Sequence, residues 1–203
     1  FALAKVNASS LMIDSAGLAA TLTVGATKVY DGSSASGGAT VGLTNLRFAA
    51  GSNLSAVPPT ASYNNKDVGT GKTVTSAVFS VTGYNGASNS TLLKSGVALQ
   101  ANTTANITKA NLTVSGLTAA NKVYDATTAA TLSGTVVVAA LGNDVLTVDG
   151  TASAFFNDKL AGSGKVVTVA GNTLGGTDSG NYNLVQQQGL TANINKASVT
   201  VSG

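Results

Sequence analysis

The sequence predicts an all-β protein: tandem Ig-like β-sandwich modules arranged as a stiff rod. Three observations carry that reading. Thr, Val, Ala and Leu alternate with polar residues in short runs, and Gly, Asn and Asp punctuate them, as half-buried strands require. Several motifs recur in the same order in two halves of the chain, each half suiting one sandwich module. No stretch holds a helical period, and the chain has 24 Gly and no Glu, a composition poor for helices. A β-solenoid is the alternative, but its rungs repeat at roughly 20–30 residues and no such period is present.

The repeats set the domain organisation. Lys28-Val29-Tyr30-Asp31-Gly32 reappears as Lys122-Val123-Tyr124-Asp125-Ala126. Tyr63-Asn64-Asn65-Lys66 reappears as Phe156-Asn157-Asp158-Lys159. Gly69-Thr70-Gly71-Lys72 matches Gly162-Ser163-Gly164-Lys165. Thr104-Ala105-Asn106-Ile107-Thr108-Lys109-Ala110 matches Thr191-Ala192-Asn193-Ile194-Asn195-Lys196-Ala197. The offset shrinks from 94 residues (28 to 122) to 87 (104 to 191), which puts extra residues between Lys72 and Thr104 of the first copy. The expected parts are a first β module over 20–108 and a second over 109–203. Residues 1–19 precede them as an N-terminal strand or the tail of an earlier module.

A change of strand parity marks the boundary. Ala105 and Ile107 share one face, whereas Ala110, Leu112 and Val114 fall on the opposite parity. Faces alternate with period two along a strand, so the switch means leaving one core and entering another. No Gly/Ser/Pro linker intervenes, which predicts a stiff joint. The same switch recurs after Lys196, and Val199-Thr200-Val201-Ser202-Gly203 repeats Leu112-Thr113-Val114-Ser115-Gly116 as a strand. A third copy, in the same polypeptide or from another subunit, is the expectation. Leu22-Thr23-Val24 reads as the first-module counterpart of Leu112-Thr113-Val114, set closer to its lysine.

Composition excludes several classes of function. Charged residues are 9% of the chain, against about 25% in ordinary soluble domains. The net charge is +3 and the lysines never cluster, so the concentrated basic footprint of nucleic-acid binding is missing. No run approaches the roughly 18 apolar residues of a membrane span. There is no Cys for a disulfide or thiolate zinc site. Without His a Ser-His-Asp triad is impossible, and without Glu acid–base work falls to Asp, Lys and Tyr. The chain reads as no enzyme and as having no cofactor.

The remaining candidates are weighed against plainer roles. Tyr30-Asp31-Gly32 and Tyr124-Asp125-Ala126 read as strand ends entering turns, with Tyr at the core edge and Asp accepting from backbone N–H groups. Lys28 and Lys122 read as strand lysines with their heads in water, although a Lys–Asn or Lys–Asp isopeptide staple is conceivable. Asp144, Asp149 and Asp178 sit in loop-like contexts and are calcium candidates. Calcium takes six to eight oxygens, yet the sequence has no dense acidic ladder. Asn7, Asn53, Asn89, Asn102, Asn106 and Asn111 head N-x-S/T sequons, which can be glycosylated in exported proteins.

The ordered motifs resemble the YDG-type repeat of large bacterial exoproteins, such as filamentous-haemagglutinin-like adhesins exported by two-partner secretion. In the second copy the resemblance runs through Lys122–Ala126, Gly162–Lys165, the Gly176-to-Leu184 stretch containing Asn181 and Tyr182, and Thr191–Val201. It covers nearly all of 20–203. Two departures stand out: Ala126 replaces the motif's Gly, and the first copy's stretch from Tyr84 to Ser90 lacks the third motif's Asp and its Tyr after the Asn. The resemblance implies Lys28, Tyr30, Asp31, Gly32, Gly71, Lys72, Lys122, Tyr124, Asp125, Gly164, Lys165, Asn181 and Tyr182 as motif residues that maintain each module. It also implies an extracellular, secreted or cell-surface setting and adhesive or matrix-forming stalks of the biofilm kind.

The leading expectation is therefore a non-catalytic segment of a bacterial surface fibre or adhesin stalk. Its partners would be neighbouring copies or adjacent repeats, with a host or matrix ligand as a further partner, and neither nucleic acid nor membrane insertion. A self-assembling filament subunit is the first alternative, joined by strand addition through residues 1–19 or by head-to-tail contacts. A carbohydrate-binding module is the second; it is disfavoured because Trp is absent and aromatics are only 5% of the chain.

Overall fold

The structure is a computed structural model that describes residues 19–44, 52–56, 60–85, 97–201 and 203. The segment expected to precede the first module, apart from Ala19, lies outside the described residues, as do residues 86–96 of the longer first copy. The protein is all-β; among the described residues the only helical element is a 3-10 turn at Ser179–Asn181. The chain divides into two compact units, Phe1–Thr108 and Lys109–Gly203.

In the first unit, β1 (Ala19–Val24) pairs antiparallel with β3 (Ala39–Thr44). A four-stranded sheet has the order β2-β9-β6-β5, made of β2 (Thr27–Val29), β9 (Asn102–Thr108), β6 (Gly69–Ser76) and β5 (Ala61–Tyr63). Its β2–β9 pair is parallel. A third sheet joins β4 (Ser52–Ala56), β7 (Phe79–Asn85) and β8 (Val97–Leu99).

The second unit repeats this plan. A five-stranded sheet has the order β12-β20-β17-β16-β13. Its strands are β12 (Lys122–Val123), β20 (Leu190–Asn195), β17 (Gly162–Ala170), β16 (Ser153–Phe156) and β13 (Ala129–Ala130). The β12–β20 pair is parallel, like β2–β9. Around it lie β11 (Ser115–Ala119) with β14 (Leu132–Val137), and β15 (Thr147–Asp149) with β18 (Thr173–Gly175). A last pair, parallel, joins β10 (Ala110–Thr113) and β19 (Tyr182–Val185).

Alternation places the core. In β16 and β17, Ala154, Phe156, Val167 and Val169 are buried, while Phe155, Val166 and Thr168 between them face out. Phe156, Val167, Ala192 and Ile194 form one cluster, covered by Ala119 of β11 and Leu132 of β14. Val114, Leu117 and Val169 form a second, against Val136 and Leu184. Burying one such Val, Leu, Ile or Phe side chain contributes about 1.5–3 kcal/mol.

Two expectations change. Leu22 belongs with Leu117 rather than Leu112: both are buried and both lie in the strand that pairs antiparallel just before the lysine motif. Residues 198–201 carry a strand pattern, yet no strand forms there among the described residues. A strand needs a hydrogen-bonding neighbour, and alternation alone does not supply one.

Candidate functional site

The repeated motifs converge on a lysine-centred clamp, built the same way in each unit. In the second, β12 runs along β20 with Lys122 opposite Ile194. The Tyr124 N–H then donates to the Asn195 carbonyl at 2.8 Å, and the chain turns away. Asp125 holds the turn: its Oδ1 accepts from the Thr127 N–H and hydroxyl, each at 2.9 Å. Lys122 Nζ folds back over this turn. It donates to Asp125 Oδ1, the Thr127 carbonyl and the Ala129 carbonyl at 2.8, 2.8 and 2.9 Å, and meets the Thr127 hydroxyl at 3.1 Å. The ammonium also lies 5.5 Å from the centre of the Phe156 ring.

The first unit matches this contact for contact. Lys28 Nζ donates to Asp31 Oδ1 at 2.8 Å, and to the Ser33 and Ala35 carbonyls at 2.9 and 2.6 Å. It lies 5.7 Å from the Tyr63 ring centre. Asp31 Oδ1 accepts from the Ser33 N–H and hydroxyl, each at 2.9 Å. The lysine side chains are only 12% and 16% exposed, so their heads are not in water as the sequence suggested. The nearby acceptors explain the difference: an ammonium has three donors, and the folded-back stem brings each to an oxygen. Both Lys–Asp pairs are hydrogen-bonded ion pairs.

The electrostatics follow. Asp125 is lowered from 3.8 to about 2, chiefly by the Lys122 hydrogen bond and then by the two Thr127 donors. For Asp31, partial burial pushes upward, but Lys28 and Ser33 outweigh it and the carboxyl titrates below its ordinary value.

The turn residue between the anchors has positive φ in both units, +79° at Gly32 and +67° at Ala126. A Cβ in this region costs about 1–2 kcal/mol. Ala126→Gly is therefore expected to raise the second unit's stability by about 1 kcal/mol, the rest being lost to glycine's unfolded-state entropy. A urea midpoint that stays level or falls would refute this.

The Gly-x-Gly-Lys motifs make a second repeated device, a bulge. Register against the neighbouring strand slips between Gly69 and Lys72, and between Gly162 and Lys165. Gly71 and Gly164 sit at φ +60° and +61°, and each donates its N–H to a β9 or β20 asparagine, Asn106 or Asn193, at 2.8 Å. The bulge lysines then ion-pair or hydrogen-bond across a turn, Lys165 with Asp158 and Lys72 with Asn65.

The third motif is described in the second unit only. Asn181 and Tyr182 are buried. The Tyr182 hydroxyl donates to Asp144 Oδ2 at 2.6 Å and accepts from the Leu141 N–H at 3.0 Å. Asp178 Oδ2 accepts from the Val145 N–H at 2.9 Å, beside the same loop. Asp149 instead accepts from the Thr147 hydroxyl in β15 at 3.3 Å. The calcium candidates thus serve as hydrogen-bond acceptors, and no group of three acidic side chains suited to a metal occurs among the described residues.

Two units, each built on the same clamp and bulge, match the YDG domain over residues 16–96 and 108–189. The chain belongs to the YDG domain family. It matches no curated protein and no solved structure. In YDG terms the name-giving motif supplies the clamp: Lys and Asp make its ion pair, and Tyr leads into the turn. Tyr30 is 2% exposed but Tyr124 is 37% exposed, so only the first fills the core edge. Sequence reasoning missed Ser33 and Thr127, and the rings of Tyr63 and Phe156. Their signal was present: a hydroxyl two residues after each Asp, and an aromatic at the same place in each copy.

Proposed function

We propose that this chain is a structural and adhesive repeat segment of a secreted bacterial surface fibre or adhesin stalk, and that it carries no catalysis. The observation that carries this is the joint: Lys109 alone separates the last strand of the first YDG unit, Asn102–Thr108, from the first strand of the second, Ala110–Thr113. We take so short a connection between two paired strands to make a stiff joint. We read the units as Ig-like sandwiches stacked into a stiff rod, exported by two-partner secretion and neighboured by further repeats. The motif chemistry supports this, because the clamp donors and acceptors are spent on turns within each unit. In repeat arrays such local contacts stabilise each unit while neighbours add interface terms.

Small-angle X-ray scattering on the whole chain tests the stalk. The expected result is one narrow distribution of end-to-end distance, broadened when a Gly-Ser linker is inserted after Lys109. A native distribution as broad as that of the linker variant would overturn the reading.

A further inference from the structure

Two segments of the chain share a pattern, but only one of them is paired among the described residues. Ala110-Asn111-Leu112-Thr113-Val114 and Ala197-Ser198-Val199-Thr200-Val201 place apolar residues at the same alternate positions. Each follows a Thr-Ala-Asn-Ile strand and a lysine. The first copy pairs in parallel with Tyr182–Val185, in a register that sets Ala110 opposite Tyr182 and Leu112 opposite Leu184. The ladder extends through the Val114 N–H to the Val185 carbonyl at 2.9 Å. Leu112 and Val114 are consequently 5% and 1% exposed. At the equivalent positions of the second copy, Val199 and Val201 are 87% and 92% exposed.

The exposed copy cannot repeat this pairing within its own unit, because Ala110–Thr113 already runs along Tyr182–Val185. We propose that Ala197–Val201 is a donor strand that founds a further YDG unit joined head to tail. It would pair in parallel with that unit's counterpart of Tyr182–Val185, Ala197 opposite the tyrosine and Val199 opposite the leucine. The internal copy supplies the acceptor's identity, the strand direction and the register. Addition of a strand to an open edge is an established recognition mode, with backbone bonds giving affinity and alternate side chains giving specificity. Val199 and Val201 are those alternate side chains.

This inference rests on the repeat-segment reading but fails separately from it. The joint at Lys109 could be stiff with no donor strand beyond Asn195, and a donor strand could exist beside a flexible joint. The test extends the whole chain by appending Leu117–Gly203 directly after Gly203. Val201-Ser202-Gly203 stands where Val114-Ser115-Gly116 stands, so the frame of the repeat is kept.

Amide hydrogen exchange at residues 197–201 is expected to slow by orders of magnitude relative to the 203-residue chain. Val199→Asp with Val201→Asp is expected to lower the unfolding midpoint of the appended unit and leave the first two unchanged. Fast exchange at 197–201 in a chain whose appended unit is folded would overturn the proposal, as would an unchanged midpoint in the aspartate variant. So would an appended unit that does not fold, since every other residue of it is copied from one that does. Protection in the 203-residue chain that rises with concentration would also overturn the assignment, moving the acceptor to a second copy.

Discussion

Replacing Lys122 with methionine is expected to lower the stability of the second unit by about 1.5–3 kcal/mol, the contribution of hydrogen bonds to a charged group, and to leave the first unit unchanged. Methionine keeps the apolar stem against the Phe156 ring, so the loss reports the ammonium's bonds to Asp125, Thr127 and Ala129. Water can reach these exposed acceptors once the lysine is gone, which keeps the cost below that of a fully buried break. Chemical denaturation followed by hydrogen exchange separates the two units, and Lys28→Met should give the mirror result. Equal stability of variant and parent would show that the clamp forms without holding anything.

The same variant carries an acid signature. Asp125 has a depressed folded-state pKa, so its stabilisation is present above the unfolded value of 3.8 and is lost as pH falls through about 2. The parent's second unit is therefore expected to weaken between these two values. Lys122 is the leading cause of the depression, so Lys122→Met should flatten that limb. An unaltered acid limb would assign the effect to other carboxylates.

Much of this architecture was legible in the sequence because two copies sit side by side. Period-two alternation put Ala105 and Ile107 on one face and Ala110, Leu112 and Val114 on the other parity, and all five are buried, since burial on a sheet follows parity. The reversal of parity around Lys109 was equally readable, because it depends on neighbours in sequence. What stayed hidden depends on long-range register. The bulges at Gly69–Lys72 and Gly162–Lys165 show in the sequence as glycine motifs, but their slip is defined only against β9 and β20. The clamp was half legible: Asp31 and Asp125 turning onto Ser33 and Thr127 is local, three residues wide. The fold-back of Lys28 and Lys122 was not, because it needs carbonyls at Ala35 and Ala129 and a ring from a strand further along the chain. Residues 197–201 show the reverse failure: the local pattern is a strand, and no strand pairs with it among the described residues.

Phe156→Ala is expected to be the more damaging change, at about 3–5 kcal/mol. The ring is 3% exposed and packs with Ala154, Val167, Ala192 and Ile194. Two of these neighbours are alanines, too short to fill the space, so the cavity would persist and its cost add to the lost transfer energy. Typical domains are stable by only about 5–15 kcal/mol, so this loss consumes much of the second unit's margin. Phe156→Leu separates packing from the ring's attraction for Lys122. It restores most of the volume but removes a cation–π contact of about 0.5–1 kcal/mol. A double-mutant cycle with Lys122→Met should therefore show coupling, and zero coupling would mean that the ring serves only the core. Tyr63 offers the control. It is 4% exposed and faces Lys28 in the same way, but its hydroxyl also donates to the Asn106 carbonyl at 3.3 Å. Tyr63→Phe gives up that bond alone and should cost the first unit only about 1 kcal/mol. If Phe156→Ala lowered the first unit's midpoint as well, the two YDG units would unfold as one cooperative body, and a neighbour term would add to each unit's own core as it does in other repeat arrays.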